Sequence, residues 1–351
     1  MGKYAFSLVD NVFEDIFRTD PNNRKPPTLI RRPQLGLIPD FDRASSSCDK
    51  SILQPWARIR SYVDELNMKN KQGAKYKVIF VLRHGYSLHN YIEKGVKRVN
   101  EAGEEVKNDW RKGLKFAYQK EVSLEALRGA GCEIPRVLED HLHGGDPNAA
   151  ARVSLYDAAL LPKEITLQIR GSGVTNNDAE DLGKQWVSWV ETDKFPLPDA
   201  IYTSPLSRCL ETTKKVYGPV FEAHGGAHEF RPIIMENLRE KGNGDACNYR
   251  STTKHILDQY PNYTPEPDFA QKDEYEYQIQ QTKDGEPTES NKEIEDRMRK
   301  VLNAIFDNDE TSVVSLTTHS FSIGTLTKVL GNARILDEGD ITAFLVKAVP
   351  P

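Results

Sequence analysis

The chain runs to 351 residues, 38% of them hydrophobic, with 47 Lys plus Arg against 52 Asp plus Glu and a net charge of -5. That length suits about two domains, or one enlarged domain with insertions, and carries enough apolar residues for a sizeable core. The charge balance excludes a polycation built for nucleic acid, and no apolar run approaches the roughly 18 residues that span a bilayer. Four sparse cysteines, Cys48, Cys132, Cys209 and Cys247, show no CxxC spacing. They argue against a disulfide scaffold or zinc ribbon and for reduced thiols. The N-terminus lacks the apolar stretch of a secretory signal, and Phe6 stands where a myristoylation motif needs Ser or Thr. The expectation is a soluble cytoplasmic protein, with nuclear access left open, no membrane or nucleic-acid partner and the oligomeric state undetermined.

In chain order, residues 1–75 read as an N-terminal extension packing on the core, broken by Pro26, Pro27, Pro33 and Pro39. Within it, Ile59, Tyr62, Val63 and Leu66 predict a helix over Trp56–Met68. Tyr76–Leu82 is a short β-branched apolar run, the pattern of a buried strand. The stretch 91–155 is mixed and charged and is expected to pass over the sheet as an insertion. Ala200–Thr203 predicts a weaker strand. A helix from Pro205 to about Tyr217 has Ser204 as N-cap and Pro205 at its first position. Residues 265–292 read as a polar surface loop. A helix over 290–306 presents Ile294, Met298, Val301, Leu302 and Ile305 on one face, with Ser290 and Glu293 in capping-box relation. Ser312–Thr318 is a clear strand, and a last helix follows residue 320 and stops near Gly331-Asn332. Strands alternating with amphipathic helices imply an α/β fold: a mostly parallel central sheet flanked by helices on both faces. No internal repeat is evident.

The first strand empties into Arg83-His84-Gly85-Tyr86-Ser87-Leu88-His89-Asn90, the second into Ser204-Pro205-Leu206-Ser207-Arg208, and the third into His319-Ser320. Ligands of open parallel sheets bind outside the carboxyl ends of the strands. These segments should therefore meet at one edge, bringing two arginines and two histidines together beside helix N-termini. That is an anion site, and the planar arginine fork is the preferred clamp for phosphate.

Arg83-His84-Gly85 after a hydrophobic strand resembles the signature of the histidine phosphatase (phosphoglycerate-mutase-like) superfamily. Ser204-Pro205-Leu206-x-Arg208, Asn237-Leu238-Arg239-Glu240 and Thr317-Thr318-His319-Ser320 agree in order. The form Arg-His-Gly-x-x-x-His-Asn and the later Cys247-Asn248-x-Arg250-Ser251 are similar to the fungal and plant phosphoglycerate-mutase-like phosphatases. The resemblance covers about 76–335, within a catalytic domain drawn at 76–351. One departure concerns an Asp-x-x-Leu-Thr-x-x-Gly segment usual soon after the Asn. Here Asp157-Ala158-Ala159-Leu160 comes late and Gly183-Lys184-Gln185 later still, which implies two insertions enlarging the region over the site.

The resemblance implies a fold of the phosphoglycerate-mutase type and a phosphomonoesterase in which His84 becomes phosphorylated. Arg83, Arg208 and His319 would complete the phosphate pocket, with Asn90 as a further donor and Arg250 as a candidate substrate ligand. Glu240 occupies the position of the proton donor to the leaving oxygen. Neutral imidazole must attack, and neighbouring guanidinium groups both disfavour its protonation and stabilise the transferring phosphoryl oxygens. The scheme needs no metal and no cofactor, and its partner is a small phosphorylated metabolite. Bland alternatives stand beside these roles: a surface carboxylate for Glu240, a helix cap for Asn90 and a surface residue for Arg250. His141 and His143 lack a metal-ligand spacing and read as a polar loop. Arg111, Lys112, Lys115 and Lys120 read as a solvated helix face. A phosphomutase and a catalytically weakened interaction module remain as other readings.

Overall fold

The computed structural model describes residues 3–22, 25–42, 54–70, 72–95, 98–99, 105–106, 121–129, 132, 134–143, 152–170, 179–226, 229–275, 288–308 and 311–351. Its centre is a seven-stranded sheet. In chain order the strands are β1 (Ala5–Leu8), β2 (Lys75–Arg83), β3 (Ala200–Thr203), β4 (Ile233–Ile234), β5 (Thr264–Pro265), β6 (Val313–Thr318) and β7 (Ile341–Val349). Across the sheet they run β1-β7-β2-β6-β3-β4-β5. The pairings from β2 to β5 are all parallel, whereas β7 joins β2 and β1 joins β7 in antiparallel fashion. The expected mostly parallel α/β fold is present.

The apolar run of β2 follows from its burial on both sides. Val78, Phe80 and Leu82 face one way, toward α1 (Pro55–Lys69), α3 (Ala179–Thr192) and α4 (Ser207–His224), whose Trp56, Ile59, Trp186 and Tyr217 complete that layer. Ile79 and Val81 face the other way, onto α5 (Asn291–Asn308) and α6 (Ser320–Val329) through Met298, Leu302, Ile323 and Leu326. Each such buried aliphatic side chain contributes roughly 1.5–3 kcal/mol. The apolar face predicted for 290–306 is the face that packs, and the Ser290–Glu293 capping box forms in both directions.

One helix prediction needs correcting at both ends. Helix α4 starts at Ser207, two residues later than expected; the Ser204 hydroxyl meets His319 Nε2 at 2.8 Å and accepts the Leu206 N–H only at 3.4 Å. The capping is done instead by Asp157, whose Oδ1 accepts the Ser207 N–H at 2.7 Å. The helix also runs through Pro219 to His224. Proline lacks the N–H that would bond the carbonyl four residues earlier, here Lys215. That carbonyl faces Gly183 of α3, where an added Cβ would lie 2.3 Å from it. Glycine on one helix and proline on the other thus let the pair close together.

The N-terminal segment is woven into the fold. It supplies the edge strand β1 and helix α1, and Arg58 pairs with Asp42 at 2.8 Å in a buried ion pair. The described parts of 91–155 include α2 (Leu88–Gly95) and an antiparallel pairing of Glu121–Ser123 with Arg152–Ser154. Val122, Leu127, Leu138 and Val153 form a hydrophobic cluster there with Tyr86, Tyr91 and Ile92. Among the described residues no helix is long and apolar enough to cross a membrane.

Candidate active site

The parallel register builds the site. Arg83 pairs with Thr318 and Thr317 with Thr203. One residue beyond each paired end stand His84, His319 and Ser204. The backbone continues the ladder for that step, with His84 N–H on Thr318 O and Ser204 N–H on Thr317 O, each at 3.0 Å. The His84 and His319 rings lie 5.1 Å apart, centroid to centroid.

His84 is 2% exposed, and its Nδ1 lies 2.8 Å from the Gly85 carbonyl oxygen. A carbonyl can only accept, so Nδ1 carries the proton and Nε2 keeps its lone pair. Burial, then Arg208, then Arg83 hold the His84 pKa well below the ordinary histidine value. His319 is likewise buried and its pKa likewise lowered, by burial first and Arg208 next. Its Nε2 meets Ser204 Oγ at 2.8 Å and Cys209 Sγ at 3.3 Å. Burial raises the Cys209 pKa, so that side chain stays a thiol beside the ring.

The two arginines are held differently. Arg83 donates from Nη1 to Leu336 O at 2.8 Å and from Nη2 to Glu338 Oε1 at 3.0 Å. Arg208 is 1% exposed and bonds only neutral acceptors, Cys247 O at 2.5 Å and Asn248 Oδ1 at 2.9 Å. Among the described residues neither Nε has a partner. No described carboxylate pairs with Arg208, so a buried positive charge stands beside a neutral imidazole. Burying an unpaired ion is costly, and such a group is a ready anion receptor.

Glu240 is half-buried, its Oε1 accepting the Lys241 N–H at 2.8 Å and Oε2 the Phe321 N–H at 3.3 Å. Phe321 lies in the first turn of α6, which directly follows His319, so the Glu240 carboxyl group sits at that helix N-terminus. Asn90 Oδ1 accepts from Ser87 Oγ at 2.8 Å and from the Ser87 N–H at 3.3 Å, the capping reading. Its Nδ2 also meets His89 Nε2 at 3.2 Å, and the His89 ring lies 5.7 Å from that of His84.

The structure does not bring the Arg250 side chain to this cluster. It is fully buried elsewhere, with Nε on Glu236, Nη2 on Ala270 O and Lys272 O, and its guanidinium 4.2 Å from the Phe269 ring centroid. The residue of that motif that reaches the site is Asn248. Other contributors escaped the sequence reading. His89 stands inside the Arg-His-Gly motif as a local signal, but Leu336 and Glu338 reach Arg83 from more than 250 residues away, with no local pattern. His143 meets Glu139 at 3.7 Å. Arg111, Lys112, Lys115 and Lys120 lie outside the described residues.

A parallel α/β sheet carrying paired arginines and histidines at its strand ends makes a site suited to an anion such as phosphate. The family model of the histidine phosphatase superfamily (branch 1) matches residues 191–338. The match spans less than half of the chain, which is similar to that superfamily over those residues. It is 27% identical to a probable phosphoglycerate mutase of Arthroderma benhamiae over 316 residues, 89% of this chain and 76% of the relative. A probable phosphoglycerate mutase of Saccharomyces cerevisiae, PMU1, is 27% identical over 172 residues, 43% of this chain and 55% of that protein. Among solved structures, a phosphoglycerate mutase from Bacillus anthracis aligns over 79% of this chain and 90% of its own, with 12% identity and a TM-score of 0.39.

Proposed function

We propose that the protein is a metal-independent phosphatase that hydrolyses a small phosphomonoester through a phosphohistidine on His84. The observation that carries this is Arg208, a buried guanidinium with neutral partners and an unpartnered Nε beside a neutral, proton-ordered imidazole. His84 Nε2 attacks phosphorus while the bond to the bridging oxygen breaks, and Glu240 gives its proton to the departing alcohol. Water then attacks the phosphohistidine, surrendering a proton to Glu240 and restoring neutral His84. Arg83, Arg208 and His319 hold the phosphoryl oxygens, and the remaining Asn90 amide proton can add a donor. Buried free thiols at Cys132, Cys209 and Cys247 fit a reducing compartment such as the cytoplasm. The insertion at 91–155, whose described residues Val122, Leu127 and Val153 cluster with Tyr86, is the element we assign to substrate choice. The names of the fungal relatives favour a second reading, a phosphomutase, in which the same intermediate returns its phosphoryl group to the substrate.

Brief incubation with labelled phosphate ester in excess EDTA tests the proposal. Acid-labile label on the peptide containing His84, lost in His84→Ala together with turnover, is the expected result. Label on a serine or cysteine, or a need for added divalent ion, would overturn it.

A further inference from the structure

A cavity of about 340 Å³ adjoins the site, and the phosphate-holding residues leave it without a role. Glu240 and Asn248 form part of its wall. Both also face the reacting centre: Asn248 Oδ1 takes Arg208 Nη2 at 2.9 Å, and Glu240 Oε2 takes the amide two residues past His319. An ester with its phosphoryl group on Arg208 and its bridging oxygen at Glu240 therefore sends its alcohol into this cavity.

The chemistry of the wall limits that alcohol. Among the described residues, five acidic and three basic side chains line the cavity. Most of these charges are already paired, Asp296 with Lys292 and Glu236 with both Arg250 and Arg239. Arg239 is bonded to Glu236 and Asp273, and Arg297 to Glu289 and the carbonyl oxygens of Asn237 and Arg239. Tyr249 also lines the cavity and is 2% exposed, and its hydroxyl has no hydrogen-bond partner; the same holds for Thr288 Oγ1. Burial raises the Tyr249 pKa, so its hydroxyl stays neutral and free both to donate and to accept. Unpaired buried hydroxyls gain from a ligand hydroxyl or ammonium group, whereas Glu240 and Glu293, which no described cation pairs, oppose a second anion.

The geometry points to this cavity as the leaving-group subsite for a hydroxylated alcohol, neutral or ammonium-bearing, that carries no second anionic group. The inference rests on the phosphatase reading above, because that reading places the ester between Arg208 and Glu240.

Phosphate release from glycerol 3-phosphate, phosphoethanolamine, 3-phosphoglycerate and p-nitrophenyl phosphate tests it. The first two should exceed 3-phosphoglycerate in kcat/KM by on the order of tenfold or more. Tyr249→Phe, which removes only the unpartnered hydroxyl, should lower the ratio of glycerol 3-phosphate to p-nitrophenyl phosphate by about fivefold, one hydrogen bond's worth. Asp296→Lys, on the exposed rim, should narrow the gap between the glycerol and glycerate esters. Turnover with 3-phosphoglycerate equal or preferred, or ratios unmoved by both variants, overturns the subsite alone. Silence on all four esters overturns the phosphatase reading and the subsite with it.

Discussion

The two buried histidines make stability depend on pH in a calculable way. Burial and Arg208 hold the pKa of both His84 and His319 well below the value of an unfolded chain, about 6.5. As pH falls below that value, the unfolded chain takes up two protons that the folded protein refuses. Stability from these groups is thus fully present above the unfolded pKa and is lost as pH falls toward the lowered folded values. Integrating one such histidine from about pH 7 to about pH 5.5 gives a loss of about 1.2 kcal/mol, or about 2.5 kcal/mol for the pair. Equilibrium urea unfolding in phosphate-free buffer across that range measures it. His84→Asn should recover about half of the pH-dependent loss relative to the unmodified protein. A loss of the same size in the His84→Asn and His319→Asn variants as in the parent would refute the reasoning. So would a folded-state NMR titration of the His84 ring near the ordinary histidine pKa.

Two other predictions concern carboxylates. Glu240→Gln should cost on the order of 10²–10⁴-fold in kcat/KM on alkyl phosphates and much less on p-nitrophenyl phosphate, whose leaving group needs no proton; equal losses, with phosphorylation rate-limiting, would place the acid elsewhere. Asp157 accepts from the backbone N–H and hydroxyl of both Ser207 and Ser251 at 2.7–2.9 Å. Asp157→Ala should therefore cost roughly 2–5 kcal/mol of unfolding free energy, with Asp157→Asn milder, and a change within error would show that these contacts are dispensable.

What the sequence made legible follows from where each signal resides. β2 is apolar on successive residues, and β6 carries Val313, Val314 and Leu316, because helices cover both faces; that local pattern needs no tertiary knowledge. β7 carries a comparable run, ITAFLVKAV, after Gly339-Asp340, yet it lies outside the predicted elements; its antiparallel entry beside β2 breaks the strand–helix alternation on which the reading leaned. The start of α4 was illegible for a different reason. Ser204-Pro205 has the chemistry of a cap, but the Ser204 hydroxyl meets His319, and Asp157 supplies the acceptor from 50 residues away. Arg250 shows the limit of motif reading. Position within a motif marks a neighbourhood, while the side chain of Arg250 turns to Glu236 and Phe269 and its neighbour Asn248 turns to Arg208.

The segment that reads as an extension packing on the core also braces His84. Arg31 binds Asp340 Oδ1 at 2.5 Å and Gly339 O at 3.0 Å. That loop in turn donates its Gly339 N–H to His84 O at 2.9 Å and accepts the Arg83 N–H on Asp340 O at 3.0 Å. The same stretch supplies Leu336 O and Glu338 to the Arg83 guanidinium. A division of labour between the arginines results. Arg83 is oriented by a carboxylate that offsets its charge, whereas Arg208 is oriented by a carbonyl and an amide that leave its charge intact. With both histidines neutral, the pocket retains a net positive charge concentrated at Arg208, on the wall it shares with Asn248. A phosphate ester dianion would therefore be drawn toward that side, next to Glu240, and aligned there by two guanidiniums whose directions are set before it arrives.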